Sequence, residues 1–114
     1  MDCLGLVRGV WRVLYGAEPE TIPNYAPDWA EASGEETLRN AASRHLVAIP
    51  TAEATAGDVL IFRMSPRAPA KHCGIATGPD SMVHAWSRHA VAEVALGRYW
   101  QRRLAFGFRF PEVK

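Results

Sequence analysis

The chain changes character at Gly57, and that change limits the folds open to it more than any other feature. From there on, short β-rich runs recur at a spacing of about ten residues: G-D-V-L-I-F-R-M (57–64), H-C-G-I-A-T (72–77), S-M-V-H-A-W (81–86), A-V-A-E-V (90–94) and F-G-F-R-F (106–110). Gly78-Pro79-Asp80 and Ser87-Arg88-His89 supply turns between runs, and Pro111 ends the last one. L-G-R-Y-W-Q-R-R (96–103) reads as one helical turn or a loop. Before Gly57 the apolar period is helical. Cys3, Val7, Val10 and Leu14 lie on one face of a helix over 4–15, with Asp2 as its N-cap and Gly16 as its stop. Gly5 and Gly9 share a face, which suits close packing on a sheet. A proline-rich connection (17–32) follows, and Ser33-Gly34-Glu35-Glu36 is a capping box that opens a second helix to about Leu46. Helices first and an antiparallel meander afterwards predict an α+β fold: N-terminal helices packed on a small sheet of about five strands.

At 114 residues the chain forms one domain, spanning 1–114. A net charge of +1 gives no case for nucleic-acid binding. The charge is uneven: residues 1–57 carry a net −4 and residues 58–114 a net +5. Such an excess most often solvates a surface, and otherwise marks a cleft that attracts carboxylates. No apolar run reaches the ~20 residues of a membrane span. No charged-then-apolar leader precedes Asp2, so the expectation is synthesis in the cytoplasm without a signal peptide.

Cys3 stands where the first turn of a helix presents unpaired N–H groups and the positive end of the dipole, both of which favour the thiolate. Asp2 opposes this with its own negative charge. Position alone therefore leaves Cys3 open between a buried structural thiol and a nucleophile that needs a cationic partner. His72 and His84 are the candidates for that partner. If strands 72–77 and 81–86 pair around 78–80, the two histidines lie roughly opposite one another and can share a hydrogen bond. Adjacent strand residues point to opposite faces, so a His72 turned toward Cys3 makes Cys73 a small core residue. The same alternation disfavours a Cys3–Cys73 disulfide and a zinc site built from Cys3, His72, Cys73 and His84. His45 and His89 carry no such pattern.

D-C-L-G-L-V at a helix start, A-G-D-V-L-I-F opening a strand, K-H-C-G-I, and V-H-A twelve residues later follow one another along nearly the whole chain. In that order they resemble the NlpC/P60 family of cell-wall peptidases, most closely its phage-tail and gene-transfer-agent members. The resemblance implies a papain-like fold with Cys3 as nucleophile, His72 as base and His84 as the group that orients it. It also implies that Asp2 holds the free amine of a peptidoglycan stem peptide and that Asp58 is structural. Leu4 replaces the serine that many relatives carry after the nucleophile. Relatives have a further segment with a pocket-lining tyrosine ahead of the nucleophile, and this chain is expected to lack it.

The reaction so implied is hydrolysis of the amide joining D-glutamate, through its γ-carboxyl, to a diamino acid, with no metal or cofactor. Delivery by a virion or phage-like particle tail, with tail proteins as partners, follows from the same resemblance. Two other readings stay open: a catalytically silent wall-binding or tail-structural module, and a Cys–His hydrolase or acyltransferase acting on lipids or small amides.

Overall fold

A computed structural model describes residue 10, residues 37–87 and residues 90–111 of the protein. Helix α1 (Thr37–His45) leads into a short strand β1 (Val47–Ile49) and a single 3-10 turn (Thr51–Glu53). Strands β2 (Val59–Phe62), β3 (His72–Gly78), β4 (Ser81–Ser87) and β5 (Ala90–Ala95) follow. A four-residue helix α2 (Arg98–Gln101) then precedes β6 (Leu104–Arg109). The strands form one antiparallel sheet in the order β1-β6-β2-β3-β4-β5.

The sheet has six strands where the sequence predicts about five. The added strand is Val47–Ile49, whose three residues are apolar, mostly exposed and too few to show a period. Pairing with β6, Val47 opposite Arg109 and Ile49 opposite Gly107, is what makes it one. The N-terminal helices also need correction. Among the described residues one helix exceeds a single turn, the nine-residue α1. The expected helix over 4–15 lies outside the described residues except for Val10, which is helical. No helix among the described residues is long and apolar enough to cross a membrane.

β2 explains why V-L-I-F is apolar without alternation: all four residues are buried, because both faces of the sheet are covered. Val59 and Ile61 join Leu38 of α1, Ala70, Cys73 and Phe108 in one cluster. Leu60 and Phe62 join Ala76, Met82 and Trp100 in a second. The period of two divides β3 in the same way. Cys73 is 1% exposed on the α1 face, so His72 is turned to the other.

The Gly57-Asp58 turn ties the entry of β2 to the rest of the sheet. Gly57 has φ +93°, a conformation that side chains with a Cβ rarely adopt. Its N–H donates to Ala76 O at 2.7 Å, and Ala76 N–H returns a bond to Asp58 O at 2.8 Å. The Asp58 carboxylate accepts from Thr55 N–H at 2.9 Å and from Arg109 Nε and Nη2 at 3.0 Å each. Burial raises the Asp58 pKa, but the Arg109 hydrogen bonds, the Thr55 amide and the Arg109 charge outweigh it, and the net shift is downward.

Asp58 is therefore structural, and a pH signature follows from the sign of its shift. A carboxyl with a lowered folded pKa stabilises fully above its ordinary value of 3.8. That contribution is lost as pH falls through the lowered value. Asp58→Asn is expected to lower the urea midpoint at pH 7, with a narrower gap from the parent at pH 3. Because the Arg109 side chain is 49% exposed, solvent screening keeps the loss below that of a fully buried pair. Urea titrations of both proteins at the two pH values check this.

Candidate active site

His72 opens β3 and His84 sits in the middle of β4. Their rings meet: His72 Nε2 lies 3.0 Å from His84 Nδ1, with the two planes at 88°. The pairing does not use the register expected from the sequence. Ile75 pairs with Val83 and Ala76 with Met82, which places His84 across from Gly74 rather than from His72. The displacement is two residues, one full side-chain period, so both histidines still share a face and bond diagonally. An irregularity between Ala76 and Gly78, beside the hairpin turn, accompanies it.

Gly74 makes the diagonal possible. A Cβ there would stand 2.8 Å from Met82 Sδ, 3.0 Å from Val83 O and 3.3 Å from His84 Cβ. Met82 is fully buried and Val83 O is backbone, so neither yields easily. The glycine of K-H-C-G-I thus leaves the room that lets His84 sit beside His72.

Two further rings enclose the pair. Trp100 of α2 stacks on His72 at 5.5 Å and 22°, and meets His84 at 5.1 Å and 72°. Phe62, the direct cross-strand partner of His72, lies 6.1 Å from its ring and 5.1 Å from Trp100. His84 is 2% and Trp100 9% exposed. The sequence reading did not single out Trp100 or Phe62. A signal for Trp100 was present: a large apolar residue inside R-Y-W-Q-R-R must find burial somewhere.

A perpendicular pair of imidazoles joined through one nitrogen of each can position a proton. With His72 Nε2 engaged by His84, Nδ1 is the other ring nitrogen through which His72 can exchange a proton. This is how a base is held in one tautomer for nucleophilic catalysis. Cys3 and Asp2, the other two sequence-expected site residues, lie outside the described residues. Cys73 belongs to the core cluster on the opposite face. Much of the basic surplus has structural employment. Arg109 holds Asp58, Arg63 Nη1 donates to Ala68 O at 2.6 Å, and the Arg103 guanidinium lies 3.8 Å over the Tyr99 ring.

An antiparallel sheet carrying a buried, bonded histidine pair beside a helix-borne aromatic defines an α+β domain with the makings of an acid–base site. Residues 1–109 match the NlpC/P60 family, and the chain belongs to it. That family consists generally of cysteine peptidases acting on peptidoglycan. Among solved structures, the chain is similar to a protein from Staphylococcus aureus subsp. aureus Mu50 described as similar to a lipoprotein of the NLP/P60 family. The two share 24% identity with a TM-score of 0.59, and the match covers 97% of this chain and 32% of that one. The likeness supports the fold, and this chain spans about a third of that protein's length. No curated protein sequence matches this chain.

Proposed function

We propose that this protein is a cysteine peptidase that hydrolyses amide bonds in peptidoglycan stem peptides, using Cys3, His72 and His84. The observation that carries the reading is the 3.0 Å contact between His72 Nε2 and His84 Nδ1 in a chain of this family. His72 Nδ1 takes the Cys3 proton, and the thiolate attacks the scissile carbonyl to form a tetrahedral oxyanion. Collapse expels the amine, which leaves with the proton now on His72, and a Cys3 thioester remains. His72 then removes a proton from water. The hydroxide attacks the thioester, and the sulfur departs and is reprotonated by His72. Throughout, His84 Nδ1 accepts from His72 Nε2–H, which keeps the first ring in the tautomer whose Nδ1 is basic and stabilises the imidazolium.

The bond cleaved, in this reading, joins the γ-carboxyl of D-glutamate to a diamino acid, with Asp2 pairing with the free stem-peptide amine. The likeness of D-C-L-G-L-V, K-H-C-G-I and V-H-A to phage-tail and gene-transfer-agent members favours delivery to the wall by a tail-like particle. The test is digestion of purified sacculi followed by mass analysis of released fragments. Fragments beginning at the diamino acid are expected from the native chain and none from Cys3→Ala. Equal release by both proteins, or none by either, overturns the proposal.

A further inference from the structure

Trp100 does more than fill a core. It is the one buried residue of α2, a four-residue helix that begins at Gly97 without a side-chain cap. Other bonds hold that short element in place. Gln101 Nε2 donates to Leu96 O at 2.8 Å, Arg103 Nη1 donates to Tyr99 O at 2.9 Å, and Trp100 N–H donates to Gly97 O at 3.1 Å. Outside the indole, the half-exposed Tyr99 ring meets Trp100 edge-on at 5.0 Å and 84°, with the Arg103 guanidinium stacked over it. Inside, the indole touches both imidazoles. It also lines a cavity of about 230 Å³, whose wall includes Leu60, Ala76, Leu96 and Leu104.

This geometry addresses a specific weakness of an imidazole pair. A half-turn of His72 about its Cβ–Cγ bond would put Cε1 where Nε2 now stands and lose the bond to His84. The terminal torsion is broad and roughly two-fold, so the ring itself does little to resist the turn. A near-parallel indole on the His72 face, together with an edge contact to His84, restricts both rings at once. The indole thus has the two imidazoles on one part of its surface and lines the cavity with another.

We infer that Trp100 is a positioning residue: its indole holds the His72 and His84 rings in the arrangement in which His72 keeps Nε2 on His84 and Nδ1 available for proton transfer. The inference rests on the peptidase reading for its kinetic consequence, but its structural content can be read without substrate. Misplacing a catalytic group by about 1 Å typically costs about 10²-fold. Trp100→Met, which fills space without a flat ring, is accordingly expected to lower kcat on stem peptides about 10- to 100-fold with KM moving less than about threefold. Trp100→Phe, which restores a stackable ring, should recover kcat to within about threefold of the parent.

In the substrate-free protein, imidazole ¹H–¹⁵N correlation spectra should show His72 in a single tautomer in the parent and in Trp100→Phe. Trp100→Met should show averaged His72 nitrogens, while the methyl signals of Val59 and Ile61 on the opposite face stay put. Unchanged His72 signals in a folded Trp100→Met overturn the inference, as does a methionine variant as active as the phenylalanine one. Should Trp100→Met fail to fold, Tyr99→Ala at an exposed ring decides the point. It is expected to broaden the His72 nitrogen signals, and unaltered signals refute the positioning role. A parent that turns over no stem peptide defeats the peptidase reading alone and leaves the spectra to judge Trp100.

Discussion

His72→Ala is expected to reduce kcat on stem peptides by about 10⁴-fold while leaving the fold in place. General acid–base transfer by one group contributes about 10²–10⁴-fold, and here one imidazole serves every proton step, so the upper end applies. The fold survives because His72 is only half-buried and heads its strand, whereas the β2–β3 ladder runs on through Ile61–Cys73, Leu60–Gly74 and Val59–Ile75. His84→Ala should lose less, about 10²-fold, since it leaves the proton carrier present but unguided. His84→Asn, which can present an oxygen near the Nδ1 position, should recover part of that loss. Steady-state kinetics with a synthetic stem peptide, alongside thermal melts, checks the series. A His72→Ala protein within tenfold of the parent would remove the proposed mechanism.

The second large effect concerns stability, and it separates the two faces of the sheet. Phe62 and Phe108 are both essentially buried, at 0% and 2% exposure. Truncating either to alanine removes packed apolar volume and is expected to destabilise by about 3–5 kcal/mol. For a domain of this size that lowers the melting temperature by more than about 10 °C. The consequences then diverge. Phe62 contacts His72 and Trp100, so Phe62→Ala should also lower the kcat of the molecules that remain folded. Phe108 packs with Leu38 and Cys73 across the sheet, so Phe108→Ala should leave the kcat of folded protein within about threefold. Calorimetry, with activity measured well below both transitions, distinguishes them. Equal losses of kcat in the two variants would show that the faces are not independent.

Much of this architecture was legible from local pattern. The β-rich runs predicted from Gly57 onward coincide with β2 to β6 to within a few residues, because central strands covered on both faces must be apolar and their turns need Gly, Pro and Asp. The burial of Cys73 was visible too, through simple alternation from His72. The structural part of Asp58 was implied by the resemblance of A-G-D-V-L-I-F to the NlpC/P60 family. The helical turn at 98–101 was one of two readings of its segment, and the structure selects it.

What needed tertiary structure was everything that depends on partners distant in sequence. Val47–Ile49 is a strand only because β6 lies beside it. The diagonal His72–His84 contact depends on a two-residue register offset, which has no local signature, and on the absent Cβ at Gly74, whose use appears only once β4 lies beside it. Trp100 reaches the imidazoles from a four-residue helix between two strands, a closeness that spacing along the chain does not encode. Residue types and their period determined which side chains could carry chemistry and which face each would take. Long-range pairing decided which of them touch, because side-chain direction follows from the local backbone while contact depends on how separate segments pack.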